Sequence, residues 1–210
     1  TSIEMTPPKS YGPFHLTFTL VGFAVVFLLA WKLRHIGQKR GRILLFCMGI
    51  FLLLCEVYKQ LFYYYCRGEV GYKWWIFPFQ LCSVPMYLCL IAPLIKQGRV
   101  AKGMYNFMMT YNLLGGFITF FEPSGINLGY LFLTLHAYVW HMSLVFIGLF
   151  INFSGFGGRS LKDYRSATIT FVALCVIAFC INVLLMDASG GTINMFFVGP
   201  KNSSLIVFKD

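Results

Sequence analysis

Charged residues are what this sequence has least of. Asp, Glu, Lys and Arg together make up 11% of the 210 residues, whereas hydrophobic residues make up 58%. The mean hydropathy of +0.72 is far above that of a soluble domain. Polar low-complexity segments, which mark disordered tails, are also missing. These absences exclude a soluble globular domain and a disordered chain, and they predict a membrane protein.

The cysteines and histidines lack the spacing of a metal site. None of the seven cysteines forms a Cys-x-x-Cys pair, and all fall within or at the ends of apolar stretches. His136 and His141 are five residues apart, which separates them by about 140° around a helix, whereas zinc sites on one helix favour a spacing of four. We therefore predict no metal and no other cofactor, and most cysteines as small packing residues.

Six apolar stretches are each long enough to cross a hydrocarbon core of about 30 Å. They are Phe14–Leu33, Ile43–Cys66, Pro78–Ile95, Met104–Phe121, Leu128–Ile151 and Ser166–Met186. The first is too long, and too weakly preceded by basic residues, for a cleaved signal peptide. We predict an all-α polytopic membrane protein, a single domain over residues 1–210 that forms a bundle of about six transmembrane helices.

Basic residues are concentrated in alternate gaps between these stretches. Eleven of the 17 Lys and Arg residues fall in residues 32–42, 96–102 and 159–165, and only five fall in the opposite set of gaps and ends. The positive-inside rule then places both termini on the exterior or lumenal side. The formal charge of +10 sits beside lipid headgroups, so membrane lipids are the predicted partners and nucleic acid is not. The location is a plasma membrane in a bacterium, and a plasma membrane or endomembrane in a eukaryote.

Proline shapes the third stretch. It opens with Pro78 and contains Pro85 and Pro93. Because a proline inside a membrane helix removes one backbone hydrogen bond, we expect this helix to be kinked and to leave a carbonyl oxygen in need of another partner.

Polar side chains within apolar spans are costly, so each is a candidate for function. They are His15, Glu56, Lys59, Gln60, Gln80, Cys82, Asn112, His136, His141 and Asn182. Glu56 and Lys59 lie on one helix face, where they form either a structural ion pair or the wall of a water-accessible cavity that holds a charged headgroup. Asn112, close to two glycines, either packs across a helix interface or lines a site.

Cys82 and His136 are the candidates for catalysis. A reactive cysteine requires a nearby base, a cation or a helix N-terminus, and Cys82 is expected in the first turns of the third helix. His136, flanked by Thr134 and Tyr138, is the better placed of the two neighbouring histidines to serve as a base. The alternative is that Cys82 packs in the core and that each histidine bonds a backbone carbonyl.

Five short motifs, spread over nearly the whole chain, together resemble a known family. They are Tyr11-Gly12-Pro13-Phe14-His15-Leu16, Glu56-Val57-Tyr58-Lys59-Gln60, Phe77-Pro78-Phe79-Gln80-Leu81-Cys82-Ser83, Leu135-His136-Ala137-Tyr138-Val139-Trp140-His141 and Ile193-Asn194-Met195-Phe196-Phe197. In this order they resemble the YwaF-like integral membrane proteins, which are distantly similar to the androgen-induced-gene and ADTRP lipid hydrolases and to membrane acyltransferases.

The resemblance implies a helical bundle that performs acyl-ester chemistry on lipids. Carried over to this chain, Cys82 is the nucleophile and His136 the general base, while His15, Glu56 and Gln80 line the pocket. Gln80 stands where members of the family often have His, and glutamine cannot take up a proton near neutral pH.

We predict a membrane-embedded lipid acyltransferase or hydrolase with Cys82 and His136 as catalytic residues. The predicted substrate-binding residues are His15, Glu56, Lys59, Gln80, Asn112 and His141. The alternative is a carrier or lipid-binding protein, without enzymatic activity, that has a polar cavity inside the membrane. Asn202 begins an Asn-Ser-Ser sequon, which is exterior in this topology.

Overall fold

The computed structural model describes residues 3–66 and 71–199. Asn202 of the sequon therefore lies outside the described residues, as do Arg67, Lys201 and Lys209 of the charge pattern.

Helices account for nearly all the regular structure in the described ranges. They are α1 (Pro13–Leu33), α2 (Gln38–Cys66), α3 (Val84–Ile91), α4 (Arg99–Phe107), α5 (Leu113–Ile118), α6 (Leu131–Ser154) and α7 (Leu161–Leu184). Within those ranges no strand forms, only one isolated antiparallel bridge between Glu4 and Tyr130. Four helices, α1, α2, α6 and α7, are long and apolar enough to cross a membrane. The predicted all-α membrane class is confirmed, and these four helices match four of the six predicted stretches.

The third stretch differs from its prediction because of its prolines. Only Val84–Ile91 is helical, and Pro85 stands in the first turn of α3, where its missing amide hydrogen costs little. Proline therefore starts this helix and does not kink it. Pro78 precedes α3 and Pro93 follows it, so Cys82 lies in a turn before the helix and not within its first turns.

The fourth stretch forms a helix with a wide turn in its middle. α4 runs into a π-helical segment at Met108–Asn112, which continues directly into α5. A π segment inserts an extra residue into the helix and is frequent at functional sites. The helix ends at Ile118, short of the predicted Phe121.

α6 is the central helix of the bundle. In the most apolar 18-residue segment of α6, 67% of the residues are buried inside the protein. The corresponding share for α1 is 11%, so the apolar surface of α1 faces outward. Around α6 pack α1, α2, α5 and the π segment, while α7 packs against α4. The helix that carries both candidate histidines is therefore the one most enclosed by protein.

The α4–α7 pair is joined by polar contacts at one end. Asp163 closes a capping box with Ser160 at the start of α7 and forms an ion pair of 2.7 Å with Lys102 of α4. Asn106 of α4 donates a hydrogen bond of 2.7 Å to the hydroxyl of Ser166. These contacts fix the register of α7 against the bundle.

Two helical glycines offer a matched test of the close packing between α6 and the π segment. A Cβ atom at Gly148 would lie 2.6 Å from Leu113 Cβ and 3.0 Å from the Met108 carbonyl oxygen, whereas one at Gly115 would meet nothing within 4 Å. We expect Gly148→Ala to lower the free energy of unfolding by about 1–3 kcal/mol, because the helices must move apart. Gly115→Ala should leave stability equal or slightly higher. Thermal unfolding in detergent measures both, and equal midpoints for the two variants would contradict this packing.

Candidate functional site

A cavity of about 540 Å³ opens between α2, the turn before α3, the π segment with α5, and α6. We call it the central cavity. Its polar lining consists of Lys59, Gln80, Cys82, Ser83, Tyr111, Asn112, Thr119, His136 and His141. Apolar side chains, among them Ile126, Leu128, Leu133 and Leu144, complete the wall. Its volume is in the range of small-molecule sites, and the mixed lining suits a molecule with a polar head and a hydrocarbon chain.

The face of α6 explains why both histidines reach this cavity. Leu133, Ala137, Trp140 and Leu144 form one stripe along the helix, at the spacings expected for a buried face. His136 and His141 stand at the two edges of the stripe, about 140° apart. Their angular separation, which argues against a shared metal ion, instead places them on two sides of one cavity.

Each histidine keeps one ring nitrogen free of a backbone bond. His136 Nε2 lies 2.9 Å from the carbonyl oxygen of Cys55, and His141 Nδ1 lies 2.8 Å from that of Ala137. Because a carbonyl oxygen only accepts, these two nitrogens carry the hydrogen in the neutral rings. His136 Nδ1 and His141 Nε2 are therefore left with the lone pair. Both rings are arranged as proton acceptors.

Cys82 is held in place through backbone contacts. Trp140 of α6 donates from Nε1 to the Cys82 carbonyl oxygen at 3.2 Å, and its ring lies 5.8 Å from that of His136, centroid to centroid. The Ser83 amide donates to the Gln80 carbonyl oxygen, which closes the turn. Cys82 thus lies in the turn directly before α3, next to the N-cap residue Ser83. It forms no disulfide and is partly buried.

A polar network reaches the cavity from α2. Lys59 Nζ lies 2.9 Å from Glu56 Oε2, which is the ion pair that the spacing predicts. Gln60 donates to Glu56 Oε1 at 2.7 Å and to the Ile76 carbonyl oxygen at 2.9 Å, and Tyr72 donates to Gln60. Lys59 alone of this group lines the cavity. Glu56 stands behind it as a buried counter-ion.

The π segment positions Asn112 at the cavity wall. Its side-chain amide donates to two backbone carbonyl oxygens, Met108 at 3.3 Å and Leu144 at 3.2 Å. Both amide hydrogens are therefore committed to the protein, so Asn112 can offer a ligand only its oxygen. Gln80 donates one amide hydrogen to the Trp75 carbonyl oxygen at 3.0 Å, and its second amide hydrogen stays available.

Two predicted substrate-binding residues lie outside the cavity. Glu56 acts on it only through Lys59. His15 of α1 is 1% exposed and belongs to another part of the bundle, where Nδ1 accepts from the Tyr11 amide at 3.2 Å and Nε2 donates to the Phe120 carbonyl oxygen at 3.1 Å. With both ring nitrogens occupied, His15 ties α1 to the turn that follows α5.

Six aromatic residues line the cavity without a role assigned from the sequence: Tyr63, Trp75, Tyr111, Trp140, Phe196 and Phe197. Trp140 stands four residues after His136, on the same helix face, so the helical period could have identified it. Phe196 and Phe197 belong to an irregular segment after α7, for which no periodicity exists.

No metal centre emerges in the part of the chain that the structure describes. Within it no group of three or more His, Cys, Asp or Glu side chains is close enough to hold an ion.

Fold and site together define a helical integral membrane protein with a cavity of mixed polar and apolar lining inside the bundle. A family model described as the TMEM164 family matches residues 10–209, so the chain belongs to the TMEM164 family. Comparison with curated proteins and with solved structures finds no match. Membership in a membrane-protein family is thereby confirmed, and the resemblance to YwaF-like proteins stays a prediction.

Proposed function

We propose that this protein is a membrane-embedded acyl-ester enzyme, a transferase or hydrolase, that acts on membrane lipids. The observation that carries the proposal is the presence of Cys82, His136 and His141 around one cavity, with a lone pair free on each imidazole. The motifs that resemble YwaF-like proteins, and through them lipid hydrolases and acyltransferases, support the same reaction class.

The proposed reaction has two steps. His136 takes the proton from Cys82 Sγ, and the sulfur attacks the ester carbonyl carbon. The carbon–oxygen bond then breaks, the leaving alcohol receives the proton from the imidazolium, and a thioester to Cys82 remains. In the second step water or the hydroxyl of a lysophospholipid attacks the thioester, and the proton returns to the thiol. Water gives a hydrolase and a lysophospholipid gives a transferase.

The negative oxygen that develops in each step needs hydrogen-bond donors. Gln80, which has a second amide hydrogen left, and Ser83, which has a hydroxyl, line the cavity with Cys82 and are the proposed donors. Asn112 is not assigned this role, because its amide hydrogens are already bound. Glutamine at position 80 thus suits a donor, whereas a histidine there would suit a base.

Lys59 is the proposed contact for an anionic headgroup. Its charge lines the cavity, and Glu56 keeps the site neutral when it is empty. This same pair favours the second candidate function, a carrier or lipid-binding protein, because a charged cavity within a bundle also suits passage of a polar group.

For the orientation we propose six spans with both termini on the exterior or lumenal side. The support is the concentration of basic residues in alternate gaps. α3 and the α4–α5 helix then complete the bundle as shorter elements between the four long helices.

Loss of either catalytic residue should abolish turnover without unfolding the protein. We expect Cys82→Ala to eliminate the thioester and His136→Gln to reduce the rate by about 10²–10⁴-fold. The measurements are release of a labelled acyl chain from phospholipid and intact-protein mass spectrometry of the acylated form. Cys175→Ala is the matched control, a partly buried cysteine on α7 that does not line the cavity. An acyl-protein that persists in Cys82→Ala excludes Cys82 as nucleophile.

Neutralising the α2 pair separates the two candidate functions. Lys59→Gln alone would leave the Glu56 carboxylate buried without its counter-ion, at a cost of about 3–5 kcal/mol. The double variant Glu56→Gln/Lys59→Gln avoids this cost. If the protein is an enzyme, we expect the double variant to raise KM for anionic lipids while the thioester still forms. Loss of lipid flux across vesicles, with no thioester in the unsubstituted protein, would favour the carrier instead.

Topology is testable with epitopes placed in two described loops. An epitope at Gly71 should bind antibody on intact cells, and one at Gly98 should do so only after permeabilisation, because Gly98 lies in a basic gap. The reverse pattern would invert the orientation.

A further inference from the structure

The segment that follows α7 closes one side of the central cavity with aromatic rings. We call residues 193–198, which contain the short helical turn Met195–Phe197, the aromatic strap. Phe196 and Phe197 both line the cavity, and Phe197 is 50% exposed. The strap therefore stands between the cavity and the surroundings of the bundle.

One buried side chain anchors the strap. Asn182 of α7, fully buried, donates from Nδ2 to the Met195 carbonyl oxygen at 3.0 Å and accepts from the Met195 amide at 2.7 Å. Ile193 and Met195 pack on Ala178 of the same helix. The first half of the strap is thus fixed to α7, and Phe196 and Phe197 extend from this anchor.

The second half is held by two long backbone hydrogen bonds, from the Phe197 amide to the Asn194 carbonyl oxygen at 3.4 Å and from the Val198 amide to the Met195 carbonyl oxygen at 3.3 Å, and by ring contacts. Phe196 stacks on Phe79 at 5.8 Å and on Phe171 at 6.4 Å, centroid to centroid. Phe79 belongs to the turn that carries Cys82, so this stack joins the strap to the nucleophile's own segment. Aromatic stacking is weaker and less directional than the paired hydrogen bonds of Asn182.

The backbone at these two phenylalanines is strained. Phe196 has φ +57° and Phe197 has φ +56°, values that side chains other than glycine rarely adopt. Two consecutive residues in this region persist only when surrounding contacts hold them, and such strain is typical of clamps and switch segments.

We propose that the aromatic strap is a gate through which the acyl chain of a membrane lipid enters the central cavity. The gate swings on the Asn182–Met195 anchor, with Phe197 as the residue that blocks or admits the chain. The inference rests on the proposed function insofar as the admitted molecule is a lipid substrate. The gate itself controls how fast a molecule reaches Cys82, and this can be measured without turnover.

Alkylation of Cys82 tests the gate without relying on catalysis. The probes are N-dodecylmaleimide, whose chain imitates a lipid, and water-soluble N-ethylmaleimide. Protein in phosphatidylcholine nanodiscs is labelled over time, and mass spectrometry of the peptide containing Cys82 gives the rate separately from the other cysteines. We expect Phe197→Ala to accelerate dodecyl labelling about fivefold or more and Phe197→Trp to slow it, with much smaller changes for the ethyl reagent.

Two further variants control the result. Phe121→Ala is the matched control, since Phe121 is 57% exposed but does not line the cavity, and its rate should equal that of the unsubstituted protein. Asn182→Leu should accelerate labelling by freeing the anchor. Because Asn182 is fully buried, its substitution can affect folding. The two variants of half-exposed Phe197, Phe197→Ala and Phe197→Trp, therefore test the gate independently of how Asn182→Leu folds.

Equal dodecyl labelling rates in Phe197→Ala, Phe197→Trp and the unsubstituted protein would overturn the gate. Failure of the gate and failure of the enzyme are distinguishable. A Cys82→Ala variant that retains full activity, combined with Phe197-dependent labelling, removes the catalytic proposal and keeps the gate. An inactive Cys82→Ala variant with labelling independent of Phe197 does the opposite.

Discussion

Hydrocarbon offers no hydrogen bonds, so polar atoms that enter this bundle must find partners within the protein. The structure meets that constraint mostly with backbone carbonyl oxygens. His15, Asn112, His136, His141 and Asn182 each bond at least one, and in doing so each joins its helix to another segment or fixes its own ring. Side chains that look anomalous in an apolar sequence are therefore the ones that hold the helices in register. The hydrogen-bonding groups that these internal contacts leave without a partner are the ones available to a ligand.

The groups that stay available to a ligand in the central cavity are few. After the internal bonds are made, the residues lining the central cavity still offer one nitrogen on each histidine, one amide hydrogen of Gln80, the Asn112 amide oxygen, the Ser83 hydroxyl, the Lys59 ammonium and the Cys82 thiol. The two imidazoles, the thiol and the ammonium all belong to residues that line this one cavity. The cost of an unpaired polar group inside the membrane also explains the Glu56–Lys59 pair. A lone ammonium inside the bundle would be costly, and its counter-ion makes it tolerable.

Helix interruptions, rather than the helices themselves, shape the cavity. The prolines shorten α3 and leave Cys82 in a turn, the π segment brings Tyr111 and Asn112 to the wall, and the aromatic strap closes one side. Irregular backbone inside a membrane protein is stable where other protein or water satisfies it, and such places are where binding sites lie. The long helices α2 and α6 carry Lys59, His136 and His141, and the irregular segments bring Cys82, Tyr111 and Asn112 to the same cavity.

The sequence by itself determined the membrane class, the approximate bounds of α1, α2, α6 and α7, the Glu56–Lys59 pair and the polar residues worth attention, because hydropathy and helical period are local properties of the chain. Cys82 and His136, 54 positions apart, could be named but not brought together from the sequence. Tertiary structure alone decided that they share a cavity, that both histidines flank one face, that His15 serves the packing of α1, and that Phe196 and Phe197 reach the same space. Those outcomes depend on which helices pack together and where proline and the π segment redirect the backbone, and such long-range contacts leave no periodic trace in the chain.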